Sequence, residues 1–178
     1  YDEGAPILWW SPDPRMVLFP SEFKRSKSLR LLEQKGIFEV RFDTAFEEVI
    51  RRCAGAHRPG QHGTWITQEM TEAYAALHRQ GYAHSVEAYR NGHLAGGLYG
   101  VSLGRAFFGE SMFFTERDAS KVALSALVGR MLEWDFHFID AQQETEHLKS
   151  LGARPVARKK FLEMLKEAVG YETIRGKW

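Results

Sequence analysis

The sequence predicts a mixed α/β domain whose sheet is mostly antiparallel, and three observations carry that prediction. Two β-like runs, residues 83–89 and 94–101, flank Arg90-Asn91-Gly92-His93, and Asn-Gly between such runs is a strong hairpin signal. Apolar residues recur at helical spacing ahead of this block and again behind it. A long helical stretch ending near Trp134 then leads into a short buried run, residues 137–141, and a last amphipathic helix.

Taken in order, the chain opens with Ile7-Leu8-Trp9-Trp10-Ser11-Pro12-Asp13-Pro14-Arg15, where two prolines in three residues prevent a helix and impose an extended path. Lys24, Arg25, Lys27 and Arg30 form a basic cluster on a helix expected from about Ser26, and residues 38–42 alternate as a strand. Thr44 and Glu47 have the spacing of a capping box, opening a helix with Ala45, Phe46, Val49, Ile50 and Cys53 on one face. A loop rich in Gly, His and Arg follows over residues 54–63. A helix over residues 67–80 turns Met70, Ala73, Tyr74 and Leu77 inward and stops at Gly81. After the hairpin, a turn near Gly104 feeds the run Phe107-Phe108-Gly109-Glu110-Ser111-Met112-Phe113-Phe114. Asp118 or Ser120 is the expected cap of the long helix carrying Val122, Ala126, Leu127 and Met131. Beyond residues 137–141, Leu151-Gly152-Ala153 reads as a helical turn, and Phe161, Leu162, Leu165 and Val169 mark the final helix. No internal repeat or low-complexity tract is visible.

Composition narrows the function. At 178 residues, 44% of them hydrophobic, the chain has the means to build one well-cored domain. The net charge of +1 excludes binding to nucleic acid by bulk charge, so any such contact falls to a local basic patch. A single cysteine, Cys53, excludes an internal disulfide framework and a thiolate metal cluster, and it fits a reducing compartment. No stretch reaches the apolar length of a membrane span and no signal peptide is visible. The chain opens at Tyr1 rather than methionine, so a preceding N-terminal piece is allowed for.

Two acids stand out. Glu110 lies in an aromatic run that is neither apolar throughout nor cleanly alternating. A carboxylate there is costly unless paired, hydrogen-bonded or protonated, which makes it a candidate site acid or base; a strand-end acid with its head in water is the competing reading. Asp140 closes the buried run Phe138-Ile139-Asp140-Ala141-Gln142, and on a regular strand Gln142 would share its face. A carboxylate that fixes a carboxamide can orient a nucleophile or bind an ammonium, although an Asp capping the next turn fits the same residues.

Other chemistries fit poorly. Gly109-Glu110-Ser111-Met112-Phe113 lacks the second glycine of a nucleophile elbow. His57 and His62 share a loop without a third ligand nearby, and His84 in Ala83-His84-Ser85-Val86-Glu87 reads as structural, so no metal site is expected. The order of elements is that of the acyltransferase fold used by N-acetyltransferases. Where those enzymes carry a glycine-rich basic loop before the long helix, this chain has Phe114-Thr115-Glu116-Arg117-Asp118, which repels a pyrophosphate. The fold plan thus points to acyl transfer from a donor other than coenzyme A.

Six segments resemble the leucyl/phenylalanyl-tRNA–protein transferase family in order and spacing. They are Trp9-Trp10-Ser11-Pro12-Asp13-Pro14-Arg15, Gly63-Thr64-Trp65-Ile66-Thr67, Ala83-His84-Ser85-Val86-Glu87, Gly96-Gly97-Leu98-Tyr99-Gly100-Val101, Gly109-Glu110-Ser111-Met112-Phe113 and Ile139-Asp140-Ala141-Gln142. The resemblance covers nearly the whole chain. It implies an acetyltransferase-like domain that needs no coenzyme. Such a domain moves Leu or Phe, and Met less well, from aminoacyl-tRNA to an N-terminal Arg or Lys of a protein, creating a bacterial N-degron.

The resemblance also implies roles. Leu98, Phe107, Met112 and Ile139, with Ser111, would surround the donor side chain; Leu98 stands where relatives often carry Met, a departure that trims pocket depth. Trp65 would stack on the terminal adenosine, an interaction worth about 1–3 kcal/mol in single-strand binders. Asp140 would orient Gln142, which meets the attacking amine or the ester carbonyl, and Glu110 would hold an ammonium. Lys24, Arg25, Lys27 and Arg30 are the candidates for tRNA phosphates. Relatives carry an aromatic segment with a second tryptophan ahead of Trp9, so residues 1–43 read as the remnant of a small N-terminal domain and residues 44–178 as the catalytic one. A cytoplasmic monomer is expected.

Overall fold

The Asn91-Gly92 hairpin organises the centre of the molecule: both residues take positive φ (51° and 79°), the backbone hand that a two-residue turn between twisted strands requires. The computed structural model describes residues 10–56 and 63–178; Trp9, His57 and His62 lie outside the described residues. The hairpin joins β3 (Ala83–Arg90) to β4 (His93–Leu103), and Gly104 turns β4 into β5 (Ala106–Phe114). With β1 (Arg15–Leu18), β2 (Glu39–Phe42), β6 (Phe138–Gln142) and β7 (Arg154–Val156) they form one seven-stranded sheet in the order β2-β3-β4-β5-β6-β1-β7. Every neighbouring pair is antiparallel except β5 and β6.

Helices cover both faces. On one, α4 (Ala119–Glu133) packs its apolar residues with Met16, Leu18, Val86, Leu98, Phe107 and Ile139, and α1 (Lys27–Gln34) joins the same core through Leu29. On the other, α2 (Phe46–Ala54) and α3 (Gln68–Arg79) lie over β3, β4 and β5 around Tyr99 and Phe113. The other half of that face belongs to α6 (Arg158–Ala168), whose Phe161 and Ala168 bury against Val17, Ala106 and Phe138. The expected α+β order of elements, with its long helix between β5 and β6, is therefore the one observed.

Several local expectations change. Thr44 does not cap α2; its hydroxyl donates to Glu87 Oε2 at 2.6 Å, and Ala45 takes the N-cap position without a side-chain bond. The reason is Glu87, a fully buried carboxylate that also accepts from Ser85 Oγ at 2.5 Å and from the Thr44 and Ala45 amides. Asp118 precedes α4 at φ 67° without capping it, and pairs instead with Lys121 at 2.7 Å. Ala73 is exposed on α3, as are Leu162 and Val169 on the side of α6. The predicted turn at residues 151–153 is preceded by a short helix, α5 (Glu146–Ser150), and Gly152 at φ 101° redirects the chain into β7. Sequence reasoning missed β7, whose central Pro155 is tolerated because the strand is an edge. The opposite edge, β2, carries the exposed ion pair of Glu39 and Arg41.

Gly96 on β4 lets α4 close onto the sheet: a Cβ there would lie 2.7 Å from Ala119 Cβ and 3.0 Å from the Ser120 amide nitrogen. Gly96→Ala is expected to lower the unfolding free energy by about 1–3 kcal/mol in urea titrations, the usual cost of overpacking; unchanged stability would show that α4 yields freely.

Candidate active site

The candidate site sits where the sheet forks. β5 and β6 pair only through Ala106 with Phe138, Phe107 with Ile139 and Phe108 with Asp140; beyond these, β5 continues along β4 while β6 continues along β1. Each strand carries a bulge at the point of parting. On β5, Tyr99 pairs with Ser111 and Gly100 with Gly109, so Glu110 is the extra residue. On β6, Val17 pairs with Asp140 and Met16 with Gln142, so Ala141 is extra and Gln142 takes a positive φ of 62°. Bulges re-aim side chains, and these two explain why neither run alternates regularly.

Across the fork the polar groups meet. Gln142 Nε2 donates to Glu110 Oε2 at 3.3 Å and to the Gly109 carbonyl at 3.4 Å. With its N–H groups spent there, the carboxamide has its oxygen left to accept a bond from an incoming amine. The Gln142 main-chain N–H donates to Asp140 Oδ1 at 3.0 Å. Asp140 is completely buried, and Arg15 grips it: Nε lies 3.0 and 3.1 Å from the two oxygens and one terminal nitrogen 2.8 Å from Oδ2. The Tyr74 hydroxyl of α3 lies beside the Glu110 carboxyl, near enough for each to shift the other's titration.

Burial pushes the Glu110 carboxyl above the usual carboxylate range. The donor groups of Gln142 and Tyr74 oppose the rise, the nearby Asp140 charge adds to it, and Arg15 works against it. Burial likewise raises the Tyr74 phenol, helped by the Glu110 charge beside it. Trp65 reaches this group through Tyr74, which meets its ring edge-on at 6.4 Å between centroids. Thr64 Oγ1 accepts from the Ile66 amide and Thr67 caps α3, which fixes the approach of Trp65.

The apolar candidates lie on the α4 side. Leu98 faces Met112 across β4 and β5, Phe107 faces Ile139 across β5 and β6, and all four belong to the core beneath α4. Ser111 pairs with Tyr99, which belongs to the core on the α2–α3 side. Gly109 marks the seam between the two groups, since a Cβ there would contact the Asp140 carbonyl at 3.5 Å and Ile139 Cγ2 at 3.8 Å. Lys24, Arg25, Lys27 and Arg30 are exposed on and beside α1, with Arg25 3.9 Å from Glu33. Sequence reasoning assigned no role to Arg15 or Tyr74. The signal for Tyr74 was its hydroxyl on an inward helix face, because a buried phenol seeks a partner; the signal for Arg15 was a cation placed at the start of a buried strand.

The acids expected before α4 are present. Glu116 pairs with Arg90 at 2.6 Å and Asp118 occupies the N-cap, so carboxylates border the helix end that an anion would approach. Among the described residues, no three His, Cys, Asp or Glu side chains converge as metal ligands, and no helix is long and apolar enough to cross a membrane.

Comparisons with known proteins agree over almost the entire chain. A family model described as leucyl/phenylalanyl-tRNA protein transferase matches residues 17–166. A curated leucyl/phenylalanyl-tRNA–protein transferase of Myxococcus xanthus is 57% identical over 178 residues, covering all of this chain and 76% of the relative. One from Maridesulfovibrio salexigens is 55% identical over 179 residues, covering 100% and 75%. A solved structure of a functionally unknown conserved protein from Staphylococcus epidermidis superposes with a TM-score of 0.51 at 10% identity, over 80% of this chain and 57% of that one, a likeness of fold alone.

Because the folded state binds the Glu110 proton more tightly than the unfolded chain does, ionising Glu110 costs stability. That cost is absent below the ordinary carboxylate range and complete once pH has passed the raised folded value. Glu110→Gln is therefore expected to gain melting temperature over wild type as pH rises through this window. A difference in melting temperature that does not change with pH would contradict the raised carboxyl.

Proposed function

The chain belongs to the leucyl/phenylalanyl-tRNA–protein transferase family, and from that premise we propose that it transfers Leu or Phe, and Met less well, from aminoacyl-tRNA to the N-terminal Arg or Lys of proteins. The observation that carries the reading is the family match over residues 17–166. In this reaction the acceptor α-amine attacks the ester carbonyl of the aminoacyl-tRNA. A peptide bond forms, the ester C–O bond breaks, and the amine gives up a proton while the tRNA leaves with its ribose hydroxyl restored. An aminoacyl ester is already activated, so positioning and a prearranged polar site are what the protein has to supply.

The fork supports a role for each group. Gln142 offers its amide oxygen to the N–H of the attacking amine, and Asp140 fixes the Gln142 main chain. Glu110 holds an ammonium, of the donor amino acid or of the acceptor, in a site where its charge is only weakly screened by water. Trp65 stacks on the terminal adenosine. Leu98, Phe107, Met112 and Ile139 receive the donor side chain, with Ser111 at the rim, and the flexible Met112 suits a site that takes more than one shape. Lys24, Arg25, Lys27 and Arg30 contact tRNA phosphates. The protein works as a cytoplasmic monomer without a coenzyme, and the product it releases is an N-degron. A coenzyme A-dependent acetyltransferase is not favoured, because Glu116 and Asp118 border the helix end that would have to hold a pyrophosphate.

The direct test is transfer of radiolabelled Phe from Phe-tRNA to a peptide beginning with Arg; no transfer by the purified protein would overturn the proposal. Gln142→Ala is expected to lower kcat by about 10²–10³-fold, the scale seen on removing one prearranged polar contact, while Phe-tRNA affinity stays within about twofold. A matched loss of affinity would assign Gln142 to tRNA binding instead. Replacing Lys24, Arg25, Lys27 and Arg30 by Gln together should weaken tRNA binding and flatten its salt dependence by roughly 0.7–0.9 in log–log slope per lost phosphate contact. An unaltered slope would place the phosphate surface elsewhere.

A further inference from the structure

Asp140 is the most constrained acid in the fork. Its Oδ1 accepts from Arg15 Nε and from the Gln142 main-chain N–H, and its Oδ2 accepts from two nitrogens of the same guanidinium. The Gln142 side chain bonds to Glu110 and the Gly109 carbonyl, not to Asp140. What Asp140 fixes is therefore the backbone of the Ala141–Gln142 bulge. That bulge needs outside support, because a non-glycine residue at φ 62° occupies a sparsely populated region.

Arg15 is itself held on several sides. Its guanidinium lies 5.3 Å from the Phe161 ring of α6, and its main chain pairs with Val156 of β7. The next residues of β1 pair with Gln142 and Asp140 themselves. Only 14% of its side chain is exposed, while Asp140 is sealed entirely. A planar two-pronged grip of this kind fixes a carboxylate in orientation as well as in charge, which a lysine in the same place would not do.

We propose that Arg15 is a positioning residue for aminoacyl transfer: by gripping both oxygens of Asp140 it fixes the Ala141–Gln142 bulge, and so the point at which the Gln142 carboxamide meets the reacting amine. The inference rests on the reading of Gln142 given above. It also makes Arg15 and Asp140 one unit, whose removal in part or whole has the same consequence.

The test is a double-mutant cycle with Arg15→Lys, Asp140→Asn and the combination, together with Arg15→Met/Asp140→Asn, which removes both buried charges and keeps an oxygen for the Gln142 amide. Melting temperature and near-UV circular dichroism establish which variants fold. Each folded variant is expected to lose about 10–100-fold in kcat, the scale of a sub-ångström to ångström misplacement, with KM for Phe-tRNA and for the acceptor peptide within about twofold. The losses should not multiply in the combined variants. Wild-type kcat in a folded variant, losses that multiply, or a raised KM for Phe-tRNA with kcat kept would each overturn the proposal, the last by making Arg15 a tRNA contact. A readout independent of turnover separates this idea from the proposed function: the Gln142 side-chain amide resonance is expected to shift in Arg15→Lys. If it stays in place, Arg15 is not the clamp, whatever the protein transfers.

Discussion

Ala106 with Phe138, Phe107 with Ile139 and Phe108 with Asp140 are the pairs that join β5 to β6, and everything at the site follows from how early that parallel ladder ends. A longer ladder would have used the main-chain groups of Gly109 and Gln142 for sheet hydrogen bonds. Because it stops, the Gly109 carbonyl is open to the Gln142 carboxamide, and two bulges have room to turn Glu110 and Gln142 toward one another. The helices respect the same break. One group of α2 and α3 and a separate α6 cover a single sheet face, each with its own core, and the fork lies between them.

The electrostatics of the site depend on that partial enclosure. Glu110 is buried deeply enough for desolvation to dominate, while the donor groups of Gln142 and Tyr74 work the other way and favour its ionised form. Asp140 is buried further and is compensated differently, by a bidentate cation rather than by neutral donors. Two carboxylates on neighbouring strands thus have different surroundings: one faces neutral donor groups, and the other is committed to a cation and to the backbone beside it.

How much of this was legible in the sequence depended on whether the signal was local. The hairpin at Asn91-Gly92 was readable because turn chemistry is written in two residues, and α3 because Thr67 and Gly81 bracket it. Glu110 and Asp140 stood out because carboxylates in apolar runs demand explanation. Their arrangement was not readable, because a bulge is a property of two paired strands and neither strand alone records it. The same limit hid Arg15, whose partner lies 125 residues away, and the true use of Thr44, whose partner Glu87 lies 43 residues away and overrides a plausible local cap. The roles given to Trp65, Leu98, Phe107, Met112 and Ile139 came from family resemblance. Their placement, an aromatic beside the polar group and an apolar set across the seam at Gly109, came only from the fold.

The two rims of the sheet have a bearing on how the chain behaves in a crowded cell. β7 is three residues long with a proline at its centre, so it lacks the amide that an approaching strand would need. β2 presents Glu39 and Arg41 joined to each other, with the Arg41 guanidinium lying 4.4 Å over the Tyr89 ring. Neither rim offers a flat, apolar template for recruiting another chain. β1 pairs with β6 and β7 from the far end of the chain, and such distant pairings are slow to form; blunted borders of this kind limit the edge on which a partly assembled sheet could aggregate.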